Sequence, residues 1–205
     1  MNPWIDWVKQ LQAISQAGLT YSKDKFDIER FQQLGDISHQ MFSHLSDAPV
    51  EQISAVFFPE SGYPTPKIDL RAAVIQDGKI LLVREREDDC WTMPGGWGDV
   101  CETPKQGVVR EVEEESGFIV ASPRLYAVKD RAVHPYQPLF PFHIYKMFFL
   151  CELIDGEATE NIEISEIDFF SPHNLPPLSE SRVLAQDIHM AFDAWENGIS
   201  EVYID

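Results

Sequence analysis

Residues 96–118 read GWGDVCETPKQGVVREVEEESGF. Local signals place one helix inside this stretch. Thr103 and Gln106 have capping-box spacing, Pro104 occupies the first helical position, and Gly117 stands where a glycine ends a helix. The spacing predicts a helix over residues 104–116. At about 3.6 residues per turn, Val108, Val109 and Val112 share one stripe. Glu111, Glu114 and Glu115 converge on an adjacent one, and Glu113 turns away. Valine is a mediocre helix former, so this helix draws its stability from packing on a sheet, which would hold the carboxylates rigidly.

Like charges one turn apart destabilise a helix, and two explanations compete for the run. A solvated acidic face is the ordinary one. The other is a hard divalent cation such as Mg2+, which takes oxygen ligands, removes the repulsion and retains waters for chemistry.

The flanking residues decide between them. Gly96, Glu102, Arg110, Glu111, Val112, Glu114, Glu115, Gly117 and Phe118 stand at the spacing of the Nudix box, with no departure at any defined position. The stretch resembles that of the divalent-metal pyrophosphohydrolases that cleave a nucleoside diphosphate linked to a moiety X. The resemblance implies an α+β fold, a Nudix-like α/β/α sandwich with a mixed sheet. It implies Glu111 and Glu115 as core metal ligands, Glu114 as a further ligand and Glu102 as an auxiliary carboxylate. Arg110 would anchor the loop through an acidic partner, and Gly96 would bring its backbone close to metal or phosphate. Mg2+ is the expected ion, with Mn2+ a substitute. A rival is a Nudix-derived sensor that binds a nucleotide without cleaving it. Such a protein has no need of every metal carboxylate, and this sequence keeps them all.

The remaining composition bounds the function. A net charge of -18 over 205 residues leaves no general basic surface for DNA, RNA or anionic lipid, which disfavours a nucleic-acid-binding module. Cys90, Cys101 and Cys151 are odd in number and lack metal-ligand spacing, which argues against a disulfide framework and for a reduced, cytoplasmic setting. The N-terminus lacks the pattern of a signal peptide and no apolar run approaches bilayer length, so a soluble protein is expected.

Before the box, Trp4, Trp7, Val8, Leu11 and Ile14 repeat at helical spacing, as do Phe31, Leu34, Ile37, Met41, Phe42 and Leu45. Two amphipathic helices, about residues 4–19 and 26–45, form an N-terminal hairpin with a thin core. Its tryptophans read as packing residues, and the hairpin must pack on the other domain or on a second subunit, so a homodimer is expected. A short strand is expected over residues 53–58, then a linker. The division is residues 1–66, helical and dimerising, and residues 67–205, the hydrolase domain. LQAISQAGLTYSKDKFDIERF with GYPTPKIDLRAAV is similar to a Nudix subgroup carrying an N-terminal helical domain, whose assigned substrates include ADP-ribose and CDP-choline.

Residues 68–76 and 79–84 read as central strands joined by the turn Asp77-Gly78. Trp91 and Trp97 flank a glycine-rich segment, as rim packing or as stacking surfaces for a base or a choline ammonium. Strands are expected over 118–128 and 144–153. Between them KDRAVHPYQPLFPFH has the composition of a substrate-contacting wall, with Arg131 for phosphate and Tyr136 for stacking. His134 and His143 are assigned no catalytic role. Glu163 and Glu166 are candidates for the extra base or metal carboxylate that the resemblance implies in this region. A last helix, about residues 180–197, should cover the other side of the sheet.

Overall fold

The computed structural model describes residues 3–46, 49–51, 53 and 61–205. The chain divides into two compact units, Met1–Pro66 with Pro138–His143, and Lys67–Gln137 with Ile144–Asp205. The proline-rich segment expected to act as one wall of the hydrolase domain is thus shared between the units.

In the first unit, α1 (Pro3–Tyr21) and α2 (Lys25–Ser46) form a helical pair. Asp24 caps α2 by accepting from the N–H groups of Phe26 and Asp27. Ile5, Val8, Phe42 and Ile53 form a small core with Met41, Leu45 and Phe142 packed against it. The seam between the helices is partly polar, since Gln12 Oε1 lies 3.0 Å from His39 Nε2 and accepts from Ser38 Oγ. That seam corrects the simple amphipathic reading. Trp4 and Trp7 are half-exposed, as are Ile14 and Ile37. The strand expected over residues 53–58 fails at Ile53, which is helical, and residues 54–58 lie outside the described residues.

The second unit is a mixed sheet between two helices. Its strands are β1 (Lys67–Gln76), β2 (Lys79–Glu85), β3 (Trp91–Thr92), β4 (Phe118–Asp130), β5 (Ile144–Gly156), β6 (Ile164–Phe170) and β7 (Tyr203–Ile204), in the order β3-β2-β1-β5-β4-β7 with β6 on β2. The β1–β2 hairpin turns at Asp77 and Gly78, both at positive φ, as a two-residue hairpin of this type requires. β1 and β5 run parallel, Asp69 opposite Lys146.

Helix α3 (Pro104–Ser116) buries Val108 and Val112 against Leu70, Ala72, Val74, Leu81 and Phe149 on one face. Helix α4 (Ala185–Asn197) buries Ile188, Ala191 and Phe192 against Ala73, Ile80, Leu82 and Phe148 on the other. The expected α/β/α sandwich is the observed one. Helix α4 starts later than expected because Asp187 accepts from the N–H of Leu184 and fixes its first turn. Upstream, Arg182 pairs with Glu85, Glu87 and Asp88.

Candidate active site

Helix α3 is set by its own sequence. Thr103 accepts from the N–H of Gln106, Gln106 Oε1 accepts from the N–H of Thr103, and Gly117 closes the helix at φ 74°. The preceding loop is set by β1. β1 and β2 pair only near their turn, so the first half of β1 offers its backbone to residues 94–98. Leu70 donates to Gly96 O, Ala72 to Pro94 O, and Gly98 to Ile68 O, at 2.8–2.9 Å. This lays the loop against α3.

Two glycines line that approach, and the first is required by its backbone. A Cβ on Gly95, at φ +145°, would meet Leu70 O at 1.9 Å. The Gly95 N–H instead donates to Glu115 Oε2 at 2.8 Å. A Cβ on Gly96 would come within 3.0 Å of Glu111 Oε1, so backbone and carboxylate share a space that a side chain would fill.

Arg110 gathers the other carboxylates. Its Nε lies 3.1 Å from both Glu102 oxygens, its Nη1 is 2.8 Å from Glu114 and 3.0 Å from Glu111, and its Nη2 lies 3.4 Å from Asp99. Nη2 has no hydrogen-bond geometry and is a buried donor without an acceptor. The expected acidic anchor for Arg110 is therefore fourfold. Burial opposes its charge, but Glu114, Glu111 and Glu102 raise its pKa above the ordinary value.

The helix carboxylates differ in environment. Glu115 is 7% exposed, and burial pushes it up to about 8, with Glu85 and Glu111 adding to the rise and Arg71 and the Gly95 N–H opposing it. Burial also raises Glu111, against the pull of Arg110. Glu114 faces solvent beside Arg110, so the three do not converge as the helical stripe suggested. Among the described residues no three His, Cys, Asp or Glu side chains stand at metal-binding distances. The donor set still fits a hard divalent ion. Its ligands are oxygens, one carboxylate lies in a cradle open only to glycine, and a buried like-charge pair beside it would be relieved by a dication.

The other candidates separate. Glu163 precedes β6, and its N–H donates to Asn161 Oδ1, while Asn161 Nδ2 donates to Glu114 O, so this turn is tied to the end of α3. Glu166 is paired with Arg84, its register partner across β2 and β6. Trp91 is a core residue with its ring against Phe170. It offers no face to a base, which corrects its reading as a stacking surface. Trp97 is half-exposed and bridges Asp69 through the backbone. Arg131 and Tyr136 come together, both buried, with the guanidinium 5.7 Å from the ring centroid.

Sequence reasoning missed Asp69, Arg71, Glu85 and Lys146. Arg71 donates to Asp69 at 2.8 Å and to Met93 O at 3.1 Å, beneath the glycine loop. Glu85 is buried beside Arg182. The available signal was charge inside apolar strands: Asp69 and Arg71 alternate in KIDLRAAV, and Lys146 interrupts IYKMFFL.

The latched helix, the zipped glycine loop and the sheet between two helices define a Nudix hydrolase. Residues 67–188 match the NUDIX domain and residues 2–57 match the UDP-X-like, N-terminal oligomerisation domain, so the chain belongs to the Nudix family. It is similar to YjhB of Bacillus subtilis (strain 168), named provisionally as an ADP-ribose pyrophosphatase, at 40% identity over 93% of this chain and 91% of the relative. A crystal structure of UDP-X diphosphatase superposes with a TM-score of 0.64 at 36% identity, covering 99% of this chain and 98% of that one. An ADP-ribose pyrophosphatase from Streptococcus suis 89-1591 superposes with a TM-score of 0.63 at 38% identity, covering 69% of this chain and 100% of that one. No helix among the described residues is long and apolar enough to cross a membrane.

Proposed function

We propose that this enzyme cleaves the diphosphate of a nucleoside diphosphate linked to X, with Mg2+ as its ion and Mn2+ as a substitute. Water attacks one phosphorus, the bridging P–O bond breaks, and a nucleoside monophosphate and phosphorylated X leave. The observation that carries this reading is the placement of Glu111 and Glu115 against the backbone of Gly96 and Gly95. A bound divalent ion supplies charge neutralisation of the diphosphate and a more acidic water. Glu111 and Glu115 would hold that ion, Glu114 and Glu102 would be further carboxylates reached through Arg110, and Arg110 keeps the carboxylates in place. Glu163, tied to the end of α3, is the better placed of the two outlying carboxylates to take a proton from the water.

ADP-ribose and UDP-linked compounds lead as substrates, because the similar proteins carry those names; CDP-choline completes the panel. Residues 1–66 form a dimerisation domain in this reading, supported by the half-exposed Trp4 and Trp7 and by the oligomerisation description of the matching family. Phosphorus NMR with Mg2+ and each compound, using Glu115→Gln as control, tests the reaction. Release of a nucleoside monophosphate by the wild type and its loss in Glu115→Gln is the expected result. Silence across the panel with both ions would turn the reading toward a nucleotide sensor.

A further inference from the structure

The sheet face under α4 is apolar over most of its area and ionic at one end. Asp69, Lys146 and Lys129 are register partners across β1, β5 and β4, and all three are buried. Lys146 contacts Asp69, and Lys129 donates to Asp187 of α4 at 2.6 Å. The Phe148 ring centroid lies 5.9 Å from both lysines and Tyr126 donates to the Asp187 carbonyl, but of the aromatic side chains here only Tyr136 bonds the Asp187 carboxylate. Tyr136, 2% exposed, comes from the irregular segment that follows β4 and its 3-10 turn. Its ring centroid lies 5.3 Å from Lys146 Nζ and 5.7 Å from Arg131 Cζ, and its hydroxyl donates to Asp187 Oδ2 at 2.8 Å.

Asp187 Oδ2 also accepts from the Leu184 N–H and so starts α4, but that cap requires neither the lysines nor the phenol, and buried ion pairs seldom outperform apolar packing of the same volume. Recognition is a better reason for the arrangement. The phenol is a planar π system with cations beside its ring and a carboxylate accepting from its polar edge. A nucleobase offers the same features: a π surface for a cation and an in-plane N–H for an acceptor. The cluster also reaches the phosphate end of the site. Asp69 binds Arg71, and Arg71 binds Met93 O at the start of the glycine loop.

We propose that Lys146 and Asp187 form the base-recognition site of this hydrolase, and that Tyr136 occupies the place of the base until nucleotide displaces it. The ligand class rests on the nucleotide-hydrolase reading above, but the test needs no turnover. Full-length wild type, Tyr136→Phe and Tyr136→Ala are titrated calorimetrically with UMP, CMP and AMP in EDTA. Tyr136→Phe keeps the ring and loses the bond to Asp187, while Tyr136→Ala clears the space. Affinity for at least one nucleotide rises from wild type to Tyr136→Phe to Tyr136→Ala, by about tenfold if the closed form dominates ten to one. Lys146→Met weakens it. Unchanged or reduced affinity in a folded Tyr136→Phe, or no binding by any protein, overturns the proposal. Turnover without any change in affinity removes this proposal alone. Nucleotide binding without turnover removes the hydrolase reading alone.

Discussion

The backbone N–H of Gly95 donates to Glu115 Oε2 at 2.8 Å, joining the glycine loop to a buried carboxylate of α3. That bond exists only because residue 95 has no side chain, since a Cβ there would meet Leu70 O at 1.9 Å. Gly95→Ala must displace the loop from β1. It is expected to cost about 1–3 kcal/mol of stability from backbone strain and to lower kcat/KM at least about tenfold by moving Glu115. Urea unfolding and steady-state kinetics read the two effects separately.

Arg110 holds Glu102 through Nε and Glu111 and Glu114 through Nη1. Lysine preserves the charge but not the fork that reaches several carboxylates at once. Arg110→Lys is expected to lower metal affinity and activity by about 10–100-fold, the usual cost of losing a residue that orients ligands, with little change in Tm. Mn2+ titration followed by water-proton relaxation checks the affinity.

Burial pushes the Cys151 thiol up from 9.0 to about 12. Between those values the unfolded chain loses its proton while the folded chain keeps it, so the folded state binds more protons and stability falls as pH rises. Wild type should lose up to about 1.4 kcal/mol per pH unit in this window relative to Cys151→Ala. Urea midpoints of both proteins from pH 8 to 11 give the difference directly.

Trp4 and Trp7 are half-exposed on α1, with ring centroids 5.1 Å apart in an edge-on pair. If they form the subunit contact, Trp7→Glu places a charge in it and should shift the protein from dimer to monomer in sedimentation velocity. A dimer unaffected by this change would place the contact elsewhere.

The sequence alone determined what depends on near neighbours in the chain. The capping box of Thr103 and Gln106, the left-handed Gly117, the Asp77-Gly78 turn and the carboxylate spacing on α3 are interactions within a few residues, and residue identity specifies them. The box and its fold were legible for that reason. What the sequence did not yield are groups joined by strand register. Asp69 meets Lys146, 77 positions away, only because β1 and β5 run parallel, and Tyr136 meets Asp187 only because α4 packs on that face. Tertiary structure also decided that Trp91 is buried while Trp97 is half-exposed. Both tryptophans flank the same loop, but one lies in a strand that packs on the core and the other on a backbone bridge to β1. A local pattern sets which way a side chain alternates, whereas the partner it meets depends on how distant segments align, and no short-range interaction encodes that.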